Sequence, residues 1–196
     1  QRQMCIRDRG FTSASSKGMS WSTDGSYVDE QGGYVGTQFP YPALKLFADN
    51  TSTLSSAFCY FGISRLSVTI NDSTEVVKGQ YVSGNYFEGM QVRPVSGRFI
   101  QREDDTVGSP IAVLSQRFSQ RRFGSSATAL GKTIRLNNQP FTVIGIAPEE
   151  FFGAEPGAIP DVYVPMHANQ ILQPESLSAI AGQFMDPNFY WIEVMG

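Results

Sequence analysis

The sequence predicts an α+β fold of short strands and short helices, and three observations lead to this prediction. Apolar and polar residues alternate at 65–70 and 132–136, as they do in half-buried strands. Two helix-capping residues, Ser115 and Gly124, enclose a segment with helical spacing. A chain of 196 residues that is 41% hydrophobic can bury a core, as one domain or as two small ones.

The charge and hydropathy of the chain exclude two functional classes. The sequence has 15 basic and 18 acidic residues, which gives a net charge of -3. Neither sign dominates, so we expect no nucleic-acid partner and no attraction to an anionic membrane. The best apolar runs, 57–63 and 141–147, are far shorter than the roughly 18 residues that a membrane-spanning helix needs.

The N-terminal region carries little structural signal. Residues 1–10 have no helix or strand periodicity and no signal-peptide core, and we interpret them as a non-native leader. Residues 11–39 are rich in Ser, Gly and Thr and are predicted to be irregular strands or a poorly ordered arm. Cys59 lies in an apolar run and is predicted to be a free buried thiol, so with Cys5 it leaves the redox compartment open.

The next elements follow from apolar spacing and turn residues. Proline near the first turn and the apolar spacing predict a helix over 42–49, and a second short helix is predicted over 54–60. A strand at 65–70, a turn at Asn71 and Asp72 and a strand at 75–82 come after it. Ser83 is predicted to cap a helix over 85–90.

The second half of the chain alternates between loops, strands and helices. Residues 92–100 are predicted to be extended, and the acidic cluster 103–105 is predicted to be a solvated surface loop. The clearest hairpin joins 132–136 to 140–146 through a turn at 137–139. The remaining predicted elements are a buried strand at 111–114, a helix between Ser115 and Gly124, a strand at 161–165, a short helix at 168–172 and a strand from 190 to 195.

Four segments between residues 40 and 196 resemble the MacB-like periplasmic core domain of bacterial ABC-transporter permeases. The resemblance is greatest to FtsX-like, acidobacterial-type permeases that lack a fused ATPase. The segments are 82–105, 111–151, 160–166 and 190–196. The positions that match the family's motifs are Ser83, Gly84, Asn85, Tyr86, Phe87, Gly97, Arg98, Asp104, Asp105, Gly124, Gly131, Gly145, Pro148, Phe151, Asp161 and Pro165.

This sequence departs from the family pattern at several positions. Tyr163 stands where the family usually has tryptophan, and the pair Met90 and Gln91 stands where Leu-Gly is usual. A tryptophan that is common in the family is missing from 116–119, and the first 37 residues match poorly. These departures bear on the N-terminal part of the chain more than on the family.

The resemblance implies a two-lobed domain. A porter-like βαβ lobe would use residues 40–108, and a small inserted lobe with the β-hairpin would use 109–166. Residues 167–196 would form a connector and the start of a strand that returns to the first lobe, so that the domain is cut within this strand. One transmembrane helix is expected upstream and at least three downstream, with the domain on the extracytoplasmic face of the inner membrane.

The resemblance also implies function and partners. The domain would couple ATP-driven movements in the membrane to the export or release of a substrate, and it would perform no bond chemistry. ATP would be bound by a separate cytoplasmic ATPase subunit, so no cofactor is expected in this domain. A second permease copy and a periplasmic adaptor or outer-membrane channel are candidate partners.

Two other functional classes stay open at this point. The chain is either part of a permease or a stand-alone extracytoplasmic module that binds a small ligand or a protein. A hydrolase would have to use His167, the single histidine, which is interpreted as a surface or loop-packing residue. One histidine and two distant cysteines do not supply a zinc site. The basic residues Arg117, Arg121 and Arg122 are predicted to be solvated, with a partner contact as the alternative.

Overall fold

The computed structural model describes residues 11–13, 20–21, 26–28, 34–49, 56–155, 157–176 and 182–196. The predicted leader at 1–10 lies outside them. The chain divides into two compact units. Unit 1 comprises residues 1–61 and 173–196, and unit 2 comprises residues 62–172. Strands and short helices occur in both units, so the predicted α+β class is confirmed.

The strands and helices are short, with one exception. In chain order they are β1 (Phe11–Ser13), β2 (Ser20–Trp21), β3 (Ser26–Val28), β4 (Tyr34–Gly36), α1 (Tyr41–Asp49), β5 (Phe58–Ile70), β6 (Ser73–Val82), α2 (Tyr86–Gly89), β7 (Ser96–Gly97), β8 (Ile111–Ser115), α3 (Gln116–Phe123), α4 (Ser126–Ala129), β9 (Thr133–Leu136), β10 (Gln139–Ala147), β11 (Val162–Pro165), α5 (Asn169–Leu172), β12 (Phe189–Tyr190) and β13 (Glu193–Met195). Two 3-10 helices, Arg102–Asp104 and Met166–Ala168, complete the set. Among these described helices, none combines the length and the apolar character that crossing a bilayer requires.

Six strands of unit 2 close into a ring. Their order around the ring is β5, β6, β11, β8, β10 and β9, and β9 pairs with β5 to complete it. The β6–β11 and β8–β10 pairs are parallel, whereas β8–β11, β9–β10 and β5–β9 are antiparallel. The two-residue strand β7 adds to the end of β10. Unit 2 is therefore a mixed sheet that closes on itself.

Two pairs of adjacent residues with positive φ make the tight turns of this ring. Asn71 and Asp72 have φ angles of 47° and 62° between β5 and β6, and Asn137 and Asn138 have 45° and 67° between β9 and β10. Asn and Asp tolerate this left-handed region better than other non-glycine residues, and two such residues match the twist of a hairpin. Both predicted turns are confirmed.

The interior of unit 2 is apolar and comes from alternate strand positions. In β5 and β9 the buried residues alternate with exposed or half-buried ones, as the sequence pattern predicted. Strands β8 and β11 are buried on both faces, as strands are where other elements pack on both sides of a sheet. Fully buried side chains of this core include Leu66, Val68, Val82, Leu114, Phe118, Leu136 and Ile146.

Unit 1 is organised around one buried indole. Trp191 is fully buried, and its ring lies 5.2 Å from Phe184, 5.7 Å from Phe61 and 6.3 Å from Tyr41. Strand β13 pairs antiparallel with the first residues of β5, and the Tyr60 hydroxyl donates a hydrogen bond of 2.8 Å to the Glu193 carboxylate. Of the predicted strand from 190 to 195, residues 193–195 return to pair with β5, whereas Tyr190 belongs to β12, which pairs with β2.

Two predicted local features are wrong. The helix over 54–60 is replaced at residues 58–60 by the start of β5, because an aromatic-rich run that is buried against other strands favours extended backbone; residues 54 and 55 lie outside the described part of the chain. Ser83 does not cap α2: Asn85 occupies the N-cap position, and the Ser83 hydroxyl donates to the Asn85 side-chain oxygen at 3.0 Å.

Strand pairing extends across the predicted boundary between 108 and 109. Strands β8, β10 and β11, all within 109–166, belong to the same ring as β6, and β11 pairs with β6 over four residues, from Val162 to Pro165. The division into a porter-like lobe and a small inserted lobe stays a prediction. The segment 11–39, predicted to be irregular strands or a poorly ordered arm, contains the short strands β1, β3 and β4, which pair as a small antiparallel sheet.

Candidate functional site

Very close backbone contacts of the motif segment 83–105 occur at three glycines. A β-carbon on Gly97 would collide with the Ile144 carbonyl oxygen of β10. A β-carbon on Gly84 would collide with the backbone of Gln101 and Arg102. A β-carbon on Gly145, in β10, would collide with the Arg98 carbonyl group. Glycine permits such backbone contacts because it has no side chain. Gly97 and Gly145 therefore fix the path of the segment against β10, and Gly84 lets the segment fold back on its own 3-10 helix Arg102–Asp104.

The aromatic motif residues pack into one cluster. Phe87 is buried and its ring stacks on that of Phe99 at 3.9 Å, with 11° between the planes. The rings of Phe151 and Tyr163 lie 5.8 Å and 5.4 Å from Phe87. Offset and edge-on ring contacts of this kind add stability beyond the burial of their area. The cluster therefore attaches α2 and the loop after β10 to the ring of strands.

Two tyrosines in this cluster differ in how their hydroxyl groups are satisfied. The Tyr86 hydroxyl donates a hydrogen bond of 2.9 Å to the Gln80 side-chain oxygen, and burial raises its pKa well above the ordinary value. The Tyr163 hydroxyl is buried and has no hydrogen-bond partner among the described residues. Burial, with a smaller contribution from Asp161, raises its pKa also. Both phenols therefore stay protonated, and neither is poised for proton transfer near neutral pH.

An ion pair closes the end of the motif segment. The Arg98 guanidinium donates to both Asp104 carboxylate oxygens, one at 2.9 Å, and the Gln101 backbone N–H donates to the same carboxylate at 2.9 Å. The Arg98 hydrogen bonds lower the pKa of Asp104, and the same pair raises the pKa of Arg98. Asp104 therefore holds the loop 98–104 in a closed turn.

Asp105 and His167 form a second link, which the sequence did not predict. The Asp105 side chain is only 8% exposed, accepts the His167 backbone N–H at 3.1 Å and lies 2.9 Å from the imidazole Nδ1. The predicted solvated loop is therefore wrong for this residue. Because the carboxylate contacts the 3-10 helix that follows β11, His167 is a loop-packing histidine, one of the two alternatives of its interpretation.

The arginines of α3 bind carboxylates within unit 2. Arg122 donates to the Glu75 carboxylate at 2.8 Å and to the Ser73 carbonyl oxygen at 2.9 Å. Arg121 lies 3.3 Å from Glu75 and 3.5 Å from Asp161. The predicted solvated patch is therefore wrong for Arg122, which is half-buried and fastens α3 to β6, whereas Arg121 stays exposed beside Glu75 and Asp161.

The remaining motif residues lie at turns and strand ends. Gly124 has φ 78° and ends α3, as predicted, and Ser115 accepts the Phe118 N–H at its start. Gly131 has φ 71° before β9, and Gly97 has φ 73° in β7. The Pro148 carbonyl accepts the Phe151 N–H in a turn, the Asp161 carboxylate accepts the Ser115 hydroxyl hydrogen at 3.2 Å, and Pro165 ends β11 opposite Val82.

Sequence reasoning missed Asn137 as a residue that joins three segments. Its side-chain oxygen accepts the Ser67 N–H at 3.0 Å, and its side-chain nitrogen donates to the Leu172 carbonyl at 3.0 Å. Its own N–H donates to the Ser67 carbonyl. The Asn-Asn turn was the only signal in the sequence, and it indicated the hairpin without indicating these partners.

A shallow groove runs along the motif segment. Its volume is about 650 Å³, and its lining includes Phe87, Val92, Pro94, Phe99, Arg98 and Arg102. Among the described residues, no three His, Cys, Asp or Glu side chains come together in a way that could hold a metal ion. The site residues thus interlock backbone segments and line an open groove of mixed character.

The match to a family of permease domains defines the class of the protein. The MacB-like periplasmic core domain family matches residues 9–188, so the chain belongs to that family. It is the periplasmic domain of a MacB-like ABC-transporter permease. The family resemblance drawn from the motif segments is confirmed.

Comparison with individual proteins agrees with this assignment. Over 69 residues the chain is 35% identical to the pyoverdine export ATP-binding/permease protein PvdT of Pseudomonas entomophila. The fold is similar to the periplasmic region of MacB from Actinobacillus actinomycetemcomitans, with a TM-score of 0.58, 17% identity and 81% of this chain covered. It is also similar to the extracellular domain of the noncanonic ABC-type transporter YknZ from Gram-positive bacteria, with a TM-score of 0.56, 15% identity and 89% covered.

The chain covers only part of the length of the proteins that it resembles. The stretch that matches the pyoverdine export protein is 34% of this chain and 11% of that protein. The chain covers 64% of the MacB periplasmic region and 74% of the YknZ domain.

Proposed function

We propose that this domain transmits ATP-driven movements of the membrane part of a permease to an export or release step outside the membrane. It would be anchored by transmembrane helices at the extracytoplasmic face, and a separate cytoplasmic subunit would bind ATP. The domain itself would carry out no bond chemistry. A second permease copy and an adaptor or outer-membrane channel would complete the assembly.

One observation carries this proposal: the family's motif residues interlock backbone segments. Gly84 and Gly145 allow close contacts between backbone segments because glycine has no β-carbon. The Arg98–Asp104 pair closes the loop 98–104. A domain that transmits force has to resist deformation, and closely packed interiors transmit strain. Interlocking at these positions supports a relay more directly than it supports a reactive pocket.

The test is hydrogen exchange on the permease that contains this chain, reconstituted with its ATPase in lipid nanodiscs. Trapping the ATPase with ATP and vanadate is expected to change exchange rates within 62–172 relative to the nucleotide-free state. The permease with an ATPase that cannot hydrolyse or trap nucleotide is the control. Equal exchange rates in the trapped and nucleotide-free states would contradict the proposal.

The groove along 84–103 favours one alternative, a module that binds a small ligand. Its volume of about 650 Å³ falls in the range of small-molecule sites. In that case a small ligand, and not nucleotide trapping, would change exchange in the groove lining. The same experiment with extracted small molecules from the host in place of ATP separates the two functions.

A further inference from the structure

The outer face of strands β5, β6 and β9 carries positive charge around an exposed valine. Val76 is 58% exposed, and Lys78, two residues further along β6, lies on the same side of the strand because successive side chains alternate. Arg65 of β5 and Arg135 of β9 are also exposed. The name basic face is used below for Arg65, Val76, Lys78 and Arg135.

Pairing between the strands places these residues on one surface. The Thr69 and Thr74 hydroxyl groups lie 2.7 Å apart across the β5–β6 hairpin, so both point to the same side. Arg135 is directly opposite Thr69 in the β5–β9 pair, and the side chains of such a pair share a face. Val76 and Lys78 follow Thr74 at alternate positions of β6. The arginine of β5 lies four residues before Thr69, in a stretch where burial alternates regularly.

The basic face has no carboxylate partner within the part of the chain that the structure describes. The only acidic residue on the three strands is Glu75, which alternates to the other side of β6 and binds two arginines of α3. None of the described ion pairs includes Arg65, Lys78 or Arg135. Arg65 and Lys78 are equally far along adjacent strands from the threonine contact, and like charges on neighbouring strands destabilise the pairing. An anionic partner would relieve this repulsion.

The loop between β10 and β11 has the opposite charge. Glu149 and Glu150 are exposed, and the segment 148–160 has no lysine or arginine. Phe152 follows two residues later and is 50% exposed. Two carboxylates close in sequence to an exposed aromatic ring are complementary to a face with cations around an exposed valine. The name acidic loop is used below for Glu149, Glu150 and Phe152.

The acidic loop and the basic face adjoin each other on β6. At Gly153, next to Phe152, a β-carbon would lie 3.3 Å from the Gln80 side-chain oxygen. Gln80 is two residues beyond Lys78 and therefore lies on the same side of the strand. The Asp161 N–H, at the far end of this loop, donates to the Lys78 carbonyl oxygen at 2.9 Å. A reciprocal contact between two identical copies requires both complementary surfaces on one side of the molecule, and this arrangement provides them.

The groove along the motif segment is a poorer acceptor for the acidic loop. Its lining contains Arg98 and Arg102, but the Asp104 carboxylate already binds Arg98. The carboxylates of Glu88 and Glu103 also belong to the lining. The groove therefore has no excess of positive charge, whereas the basic face has three cations and no carboxylate.

We propose that two copies of this domain bind each other reciprocally, with the acidic loop of each copy on the basic face of the other. The two glutamates would pair with Arg65 and Lys78, and Phe152 would pack on Val76. The proposal rests on one part of the proposed function, the second permease copy, and identifies the surface that this copy contacts. It does not depend on force transmission or on export.

The test is photo-crosslinking of the permease that contains this chain, in the membranes of its host, with a benzoylphenylalanine residue at position 152. Copies with two different affinity tags are expressed together, so that adducts between copies are separated from links within one copy. We expect an adduct between copies that maps to residues 65–78. The same photoreactive residue in place of Val107, which is 66% exposed, is the control and should give no such adduct.

Charge reversal tests the complementarity directly. The double change Arg65→Glu and Lys78→Glu, or the double change Glu149→Lys and Glu150→Lys, should lower the adduct yield about tenfold, because like charges then meet. Co-expression of the two double variants should restore the yield, because opposite charges again meet at both contacts. Arg102→Glu, which reverses a charge of the groove, is the matched control and should leave the yield unchanged.

Several results would overturn the proposal. They are no adduct between copies, equal adducts from positions 152 and 107, an adduct that maps to the groove at 84–103, a lipid or a different protein as the adduct, and double variants whose co-expression does not restore the yield. The reversed residues are all exposed, so the variants should keep the fold, which circular dichroism and thermal unfolding verify. Absence of the adduct together with a normal response to ATP trapping would remove this contact and leave force transmission standing.

Discussion

Units 1 and 2 hold their backbones together in different ways. In unit 2 six strands pair around a closed ring, and backbone contacts at Gly97 and Gly145 lock the motif segment against it. In unit 1 the helix α1 has no buried residue, the strand pairs are two or three residues long, and aromatic rings gather around Trp191. Backbone pairing organises one unit, and a single large side chain organises the other.

Because of this difference, the stability of the two units should be sensitive to opposite kinds of substitution. Removing a side chain should harm unit 1 most, because its contacts converge on one residue. Adding a side chain should harm unit 2 most, because its backbone segments leave no space for a β-carbon at three glycines. The motif glycines Gly84, Gly97 and Gly145 belong to the second kind, which agrees with a role in fixing geometry.

Replacement of Trp191 by alanine is the change with the largest expected effect. It removes a fully buried indole with four aromatic neighbours, Tyr41, Phe61, Phe184 and Phe189, and should lower the free energy of unfolding by about 4 kcal/mol. Urea denaturation measures the loss. Hydrogen exchange should increase in 182–196 and change little in 111–147; a uniform increase over both units would contradict the comparison.

Gly145→Ala tests the opposite kind of change in unit 2. The added methyl group meets the Arg98 carbonyl, so β10 or the motif segment has to move, at a cost of about 3 kcal/mol. Gly62→Ala is the matched control, because a β-carbon there meets nothing within 4 Å. If both glycine changes lower the urea midpoint equally, close backbone contact is not what Gly145 provides.

Asp104→Asn should have the smallest effect of the three, and the effect should depend on pH. The pKa of Asp104 is lowered in the fold, so its charge stabilises the fold above the unfolded-state pKa of about 3.9, and this contribution is lost as the pH falls through the lower folded pKa. Arg98 is about half exposed, so solvent screening limits the loss at pH 7 to about 1 kcal/mol or less.

Thermal unfolding of the Asp104→Asn variant from pH 7 to pH 2 measures this dependence. The difference from the unchanged chain should shrink as the pH falls and vanish at the acid end. Asp49→Asn, which breaks the exposed Lys45–Asp49 pair of α1, should cause no measurable difference at any pH. A difference for Asp104→Asn that stays constant over the whole range would show that charge is not involved.

Local features of the fold could be predicted from the sequence because neighbouring residues encode them. The turns at Asn71–Asp72 and Asn137–Asn138 and the caps Ser115 and Gly124 depend on a few adjacent residues, and the structure has all of them. The motif segments also identified the family. These features needed no knowledge of distant contacts.

Features that depend on distant partners could not be predicted. Closure of the ring by β5 and β9 brings together Val68 and Leu136. The sequence of neither strand indicates that the other is its partner. The same holds for Asp105 with His167 and for Arg122 with Glu75, whose partners are more than 45 residues away. Each looked like an ordinary surface group because charge alone does not indicate which segment will cover it.

Closure of the ring has a consequence for how other molecules can be recognised. An open sheet leaves unpaired N–H and C=O groups along its last strand, and a foreign strand or an aggregating copy can attach there. The six ring strands each have a neighbour on both sides, so their paired residues offer no such template. A molecule that binds this unit therefore has to contact its loops or the outward-facing side chains of its strands. Loop side chains can vary in evolution without disturbing the hydrogen bonds between the strands.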